Sequence, residues 1–438
     1  MSKSRQSLGM IAILALLPGC MSDLGETVSR FRGSEATAPT GTGPVQKAVV
    51  KPSDASELIH ALQTRPTVII SGTPYAQVAD AVIASDTRVA AAELRVAQLR
   101  AEAAQKNWMP RIGPNISLTS LGDVVAQLVI NQVLFDNGRK VAERDLAKAN
   151  VERAAVQLVE DGNSRVYDAL SLYVTAEENR DLATHLNRAY DDMARFEWVM
   201  QQRVQGGVSD MSNLNVVQQK LASIRARSGE AQEAASTALA ELNAMSARPL
   251  SDLRGLGQVR DAEAGEPLGV LRARAEREQA MAEARIARAS HLPGLAANGS
   301  IDRDGTMGGG LEVTTDTLFG LGTMAEFKAI EATKETADRR VAESREIAAR
   351  HIASQQSKLT AYRRQAEEAI GLRQAAKQNL ELFQRQFEGG QRQVMDVVGT
   401  YETFARALET EIQLKYKAAR AELELSRLRG ALAEGASI

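Results

Sequence analysis

Leu359, Tyr362, Ala366, Ala369, Arg373, Ala376, Leu380, Phe383 and Phe387 follow one another at alternating spacings of three and four residues. A seam with that alternation lays one α-helix along another as in a coiled coil, here with Arg373 as its one polar interruption. Leu182, Leu186, Met193, Phe196, Met200 and Val204 continue the theme earlier in the chain, and the many alanines around both seams let helices approach closely. Elsewhere the period drops to two. Leu311, Val313, Thr315, Thr317 and Phe319 alternate with Glu312, Thr314 and Asp316, and Leu295, Ala297, Gly299 and Ile301 alternate with Asn298, Ser300 and Asp302. Such segments are strands with two unlike faces. Apolar-out, polar-in strands of about ten residues suit a membrane barrel around a watery lumen. A soluble, half-buried sheet gives the same alternation.

The pattern occurs twice. Asn107-Trp-Met-Pro110 is matched by Ser290-His-Leu-Pro293, 183 residues on; Leu134-Phe135-Asp-Asn-Gly138 by Leu318-Phe319-Gly-Leu-Gly322, 184 on; and Gln205-Gly206-Gly207 by Glu388-Gly389-Gly390, 183 on. Landmarks in one order at one offset identify an internal duplication, with a unit far longer than a solenoid repeat. Residues 115–248 and 294–438 contain no proline, so nothing in them interrupts a long helix. The first unit (75–250) is expected to hold a helix over 76–109, strands over 112–121 and 124–134, and a helix from about 139 to 205. A turn at 205–212 and a helix over 212–247 complete it. The second unit (251–438) repeats this with a helix over 268–291, strands over 294–303 and 308–319, a helix over 323–388, a turn at 388–395 and a helix over 394–434. A helix of about 67 residues measures about 100 Å, and two shorter helices laid end to end nearly match it. The expected fold is mainly α with a small β part, built from a duplicated helix–hairpin–long helix–helix unit.

Composition removes several functions. The chain has 438 residues, 44% hydrophobic and 25% charged, with 53 basic and 55 acidic side chains, which argues against a nucleic-acid partner. Its four histidines (His60, His185, His291, His351) stand far apart and there is one cysteine, so neither a metal-ligand cluster nor a disulfide framework is expected. Glycine runs such as 305–310 fit neither the P-loop nor the dinucleotide fingerprint. No catalytic constellation and no cofactor motif is present, and an enzyme is not expected.

The N-terminus carries a targeting segment. Lys3 and Arg5 precede an apolar run from Leu8 to Leu17, which is too short to span a bilayer as a helix. Leu17-Pro18-Gly19-Cys20 then reads as a cleavage site resembling a bacterial lipobox, which makes 1–19 a lipoprotein signal peptide and Cys20 the lipidated first residue. The alternative is an ordinary signal peptide with an incidental cysteine. Met21 rather than Asp after Cys20 points to the outer membrane. Residues 20–74, rich in Gly, Pro, Thr, Ser and Ala, read as a tether, with draping over a folded body in places as the alternative. No later segment has eighteen consecutive apolar residues, so a helical membrane protein is excluded.

Four strands cannot close a membrane barrel, which needs about eight or more. Open edges in hydrocarbon would leave backbone groups unsatisfied. A barrel would have to be shared between chains. Over residues 75–434 the chain resembles the TolC-type outer-membrane channels, through the two proline-led strand starts, Leu134-Phe-Asp-Asn-Gly-Arg139, and Glu388-Gly-Gly-Gln-Arg-Gln-Val-Met-Asp396-Val. The resemblance implies a homotrimer with a shared 12-strand transmembrane β-barrel and a helical tunnel in the periplasm of a Gram-negative bacterium. It further implies a periplasmic adaptor protein as partner, together with an inner-membrane ABC transporter or proton-driven efflux pump. The Gly206-Gly207 and Gly389-Gly390 breaks then sit at the far periplasmic end, where the adaptor docks. In the family this end is a gate of tyrosine, arginine and aspartate contacts. Arg392 and Asp396 occupy matching positions. Phe387 stands in the tyrosine position, Gly399 replaces a second aspartate, and Asn213 replaces the aspartate opposite the arginine, with Asp210 as the substitute partner. Asp396 is expected to face the lumen; the alternative for Arg392 and Asp396 is a solvated helix turn. Gly390-Gln-Arg-Gln-Val-Met-Asp-Val397 with Tyr401-Glu402 looks like the type I protein-secretion subgroup. Drug efflux and a purely structural periplasmic coiled coil are the alternatives.

Overall fold

The computed structural model describes residues 56–85, 89–118, 124–260, 265–317 and 320–435, so the leader and Cys20 lie outside the described residues. In chain order the elements are α1 (Glu57–Gln63), α2 (Pro74–Ala84), α3 (Val89–Gln105), β1 (Arg111–Leu118), β2 (Val124–Phe135), α4 (Arg139–Gln205), α5 (Met211–Met245), α6 (Leu268–Ser290), β3 (Gly294–Asp302), β4 (Met307–Thr314), α7 (Thr323–Glu388) and α8 (Val394–Leu428). The fold is mainly α with one small sheet, and both halves run helix, hairpin, long helix, helix.

The long helices α4 and α7 have 67 and 66 residues, about 100 Å each. α4 lies against both α5 and α6, and also meets α1, α2, α3 and α8; among the described residues α7 packs mainly against α6 and α8. The heptad seam marks the contact. Leu359, Ala369 and Leu380 are buried, and the six seam residues between and beyond them are half-buried. Arg373, the polar interruption, pairs through its guanidinium with Glu411 of α8. The two long helices are nonetheless unequally covered. α4 buries 23 residues and α7 six, leaving Ile370, Leu372 and Leu382 of α7 exposed.

The sheet runs β1-β2-β3-β4, antiparallel throughout. Every β1–β2 pair, from Arg111↔Asn131 to Leu118↔Val124, becomes a β3–β4 pair on adding 183, from Gly294↔Thr314 to Ile301↔Met307. The duplication therefore extends to strand register. Pairing places Ile112, Ile116, Leu128, Ile130, Ile301, Leu311 and Val313 on one face. The other carries Asn115, Gln127, Asn131, Asn298, Ser300 and Glu312. Ile112, Ile116, Leu311 and Val313 are 64–71% exposed. β1 and β4 are the edges, and neither has an outer neighbour among the described residues.

Four sequence expectations are corrected. Residues 56–74, read as the end of the tether, belong to the folded body: Ile59, Leu62, Val68 and Ile69 are buried, Val68 N donates to Ala431 O at 2.9 Å, and Arg260 N donates to Val68 O at 2.9 Å. The helix expected over 76–109 is two, α2 and α3. The first stops where Ser85 Oγ donates to Met245 O (2.6 Å) and accepts from Arg165 Nη2 (3.0 Å), tying the chain to the end of α5. β4 ends at Thr314 rather than 319, because its partner Gly294 is the first residue of β3. The last helix stops at Leu428 rather than 434. Gly430 turns at φ 67°, with its Cα facing Leu268 so closely that a Cβ would meet Leu268 Cγ at 2.5 Å, and Ala431–Ala433 enter the core.

Candidate functional site

The end of the molecule formed by the two glycine pairs joins both repeats in one core. α4 closes with Gly206 N donating to Gln202 O, Gly207 N to Val204 O and Val208 N to Arg203 O; α7 closes with Gly389 N to Arg385 O, Gly390 N to Phe387 O and Gln391 N to Gln386 O. These are the same three bonds shifted by 183. Only the second glycine of each pair needs the left-handed region, Gly207 at φ 69° and Gly390 at φ 75°. Behind the turns, Met193 and Met200 of α4, Leu214 and Val217 of α5, and Val394, Val397 and Tyr401 of α8 pack together, with Phe387 half-buried against them. The two halves are thus fused by apolar burial at the tip.

Polar contacts stitch the same seam. Tyr401 Oη donates to Asp192 Oδ2 at 2.9 Å, and its ring lies edge-on to Phe196 and Phe404. Burial, then the bond to the Asp192 carboxylate, pushes the Tyr401 phenol well above its ordinary pKa. Lys220 pairs with Glu402, and Arg227 with Glu409, one heptad further along both α5 and α8. His185 of α4 is buried with Nε2 3.1 Å from Ala405 O of α8, and burial lowers its pKa. Towards the sheet, Tyr416 Oη donates to Asp181 Oδ2 at 2.6 Å and Arg420 pairs with Glu178.

Within one chain the residues expected at the gate each make local contacts. Arg392 lies with its guanidinium carbon 4.4 Å from the Phe383 ring centre, and its Nε donates to Gln386 Oε1 at 3.1 Å. Its contacts are thus on the preceding helix, not with Asp210. Asp210 is exposed at the start of α5, where its carbonyl accepts from Asn213 N, and Asn213 is half-buried in the first turn. Asp396 Oδ2 accepts from Gln393 N at 3.2 Å, and the Gln393 side chain accepts from Asp396 N. This is a reciprocal cap on α8. Asp192, Lys220, Arg227, Glu409 and His185 were missed. The signal for two of the pairs was the seven-residue spacing shared by Lys220/Arg227 and Glu402/Glu409. Trp198, Val208 and Met211, also missed, form exposed apolar surface around the first turn. Among the described residues no helix is long and apolar enough to cross a membrane.

The chain is thus a duplicated unit of strands and helices about 100 Å long, with a sheet open at both edges among the described residues. Residues 268–431 match the family of outer membrane efflux proteins. Three solved structures are similar over nearly their whole length. A membrane protein from Pseudomonas aeruginosa superposes with a TM-score of 0.74 at 14% identity, covering 91% of this chain and 98% of that one. The CmeC outer membrane channel of Campylobacter jejuni gives 0.70 at 14%, covering 92% and 95%. The open state of the MtrE outer membrane channel of Neisseria gonorrhoeae gives 0.70 at 14%, covering 85% and 96%. No curated protein matches the chain in sequence. The chain has the fold of the TolC-type outer-membrane channels, and the sequence match to the efflux-protein family falls within its second repeat.

Proposed function

We propose that three copies of this chain close a 12-strand barrel in the outer membrane of a Gram-negative bacterium and form the exit duct of a three-part export machine. Substrates pass through passively, delivered by an inner-membrane transporter and a periplasmic adaptor. The observation that carries this reading is the sheet. One face is mainly apolar, the other holds the asparagines, Gln127, Ser300 and Glu312 with Val129 and Val133 among them, and β1 and β4 are unpaired edges among the described residues. In hydrocarbon such edges are tolerable only when paired, and a further copy supplies the pairing. A structural coiled coil would have no use for the sheet. The adaptor docks at the tip, around Gly206, Gly207, Gly389 and Gly390, where Val208 and Met211 offer apolar surface. Arg392 and Asp210 act there between copies rather than within one. Cys20 adds a lipid anchor.

For the cargo, efflux is the better-supported branch, because the matching family is that of outer membrane efflux proteins. The type I secretion reading rests on Gly390–Val397 and Tyr401-Glu402. Local structure already accounts for these: Val394, Val397 and Tyr401 build the tip core, Asp396 caps α8, and Glu402 pairs with Lys220. Photo-crosslinking from Val208 and Met211 in intact cells, followed by identification of the captured inner-membrane protein, decides between them. An ABC transporter restores the secretion reading, a proton-driven pump supports efflux, and the absence of any envelope partner removes the export machine altogether.

A further inference from the structure

The polar face of the sheet carries three ionisable residues within its strands, Arg111, Asp302 and Glu312. Arg111 opens β1 in the row of Asn131, Asn298 and Gly310, and Asp302 closes β3 in the row of Gln127 and Asn115. Across those rows the other polar side chains, Asn115, Gln127, Asn131, Asn298 and Ser300, are neutral, and Glu312 stands one same-face row beyond Arg111, towards the helices, level with Ala296 and Val133. Glu312 is exposed. Its carboxylate is held rather than free to swing: Asn298 Nδ2 donates to Glu312 Oε2, and Asn131 Nδ2 donates to Asn298 Oδ1 at 2.5 Å. Next along the same face of β4 come Gly310 and Gly308, which have no side chains to screen the carboxylate from the lumen.

From this placement we propose that Glu312 determines ion preference in the barrel: three Glu312 carboxylates, one per copy, ring the lumen and favour cations over anions. This rests on the reading that three copies close the barrel with the polar face inward. Twelve strands about 4.8 Å apart, tilted by about 40°, give a backbone radius of about 12 Å. Projecting side chains narrow that further, so the lumen is no wider in radius than a Debye length of about 10 Å at 0.1 M salt. A ring at the wall therefore acts across the whole opening. It is a filter separate from the tip, which lies at the other end of helices about 100 Å long.

The test is the reversal potential of the full-length protein in planar bilayers under a potassium chloride gradient. Glu312→Gln keeps an oxygen to accept from Asn298 Nδ2 while removing the charge, so the sheet is preserved. The cation-to-anion permeability ratio is expected to fall about twofold or more for Glu312→Gln and to invert for Glu312→Lys. Asp396→Asn, at the tip, serves as the comparison. If wild type and both variants form channels with the same reversal potential, Glu312 is not the selectivity residue, although the barrel stands. If the wild-type protein forms no channels, the closed barrel itself fails, and the ring with it.

Discussion

The duplication predicts how two copies join, residue by residue. Within one chain β2 meets β3 through Asn131↔Asn298, Ile130↔Gly299, Val129↔Ser300 and Leu128↔Ile301. Because the hairpins superimpose in register at an offset of 183, β4 stands to the next copy's β1 as β2 stands to β3. Adding 183 on one side and subtracting it on the other pairs Thr314 with Asn115, Val313 with Ile116, Glu312 with Ser117 and Leu311 with Leu118 of the neighbour. Both Val313 and Ile116 lie on the apolar face, so the register also satisfies the pleat. Directly opposed residues have Cβ atoms about 4.5–5.5 Å apart, while diagonal neighbours are about 7–8 Å apart. A disulfide needs about 3.5–4.5 Å between Cβ atoms, which small strand movements reach only from the opposed pair. Ile116→Cys with Val313→Cys, placed in a Cys20→Ser background, should therefore form intermolecular disulfides on mild oxidation. The product is a covalent trimer on a non-reducing denaturing gel. Ile116→Cys with Thr314→Cys should not crosslink, because a slip of one residue places the two thiols on opposite faces. Equal or better crosslinking of this control pair would refute the register, and monomers from both pairs would refute edge-to-edge closure.

Tyr401→Phe removes the bond to Asp192 across the α4–α8 seam and should cost about 1 kcal/mol, read as a lower Tm, with a rise in single-channel conductance if that seam also restrains the tip. For His185, burial lowers the pKa below 6.5, with the bond to Ala405 O opposing the shift. The unfolded chain takes up its proton at higher pH than the folded one, so stability held above pH 6.5 drains away as pH falls below it. His185→Gln, whose amide can still donate to Ala405 O, should abolish that part of the loss when Tm is followed from about pH 7.5 to about pH 5. Cys20→Ser should alter processing yet leave the protein in the membrane fraction, because the barrel holds it independently; full recovery in the soluble fraction would contradict the barrel. Leu99→Glu changes a residue of α3 that is 57% exposed in the single chain, so the subunit should fold normally while trimers on unheated gels are lost.

Much of the fold was legible because it is set by local signals. Absent prolines and paired glycines bounded α4 and α7, and the three-four seam identified the buried face of α7. The misreadings share another cause: they concern ends fixed by distant partners. Ser85-Asp86-Thr87 offers a local capping signal, and the hydrogen bonds of Ser85 to Met245 and Arg165 fix the break there. The alternation through Thr315, Thr317 and Phe319 continues past Thr314, but β3 offers nothing beyond Gly294 to pair with it. Val68 looked like tether because the partners of its backbone, Ala431 and Arg260, lie far along the chain. Asp396 is different. An acid three residues into a helix after Gln393 is a local capping signal, and the likeness to a gate motif drew attention away from it.

Two deficits in the isolated chain have one remedy. β4 lacks the outer neighbour that β2 has in β3, and α7 lacks on one side the cover that α4 has in α6. Under the offset of 183, the counterparts of β3 and α6 are β1 and α3, and these are the elements whose own surfaces are incompletely used. β1 is the other open edge. α3 exposes Val89, Val96 and Leu99, at spacings of seven and three that align them on one helical face. An edge seeking a strand and a bare helix seeking a helix, both answered by adjacent segments of the same sequence, specify a head-to-tail contact between copies. Such a contact closes into a ring when the rotation per copy divides a full turn. Three copies of a four-stranded sheet meet that condition within the strand numbers that membrane barrels use. On the proposed trimer, the ring that pairs the sheet edges in hydrocarbon would also cover the apolar residues of α7 below it. Barrel and tunnel would then be closed by one association, and a change that opens either should weaken both.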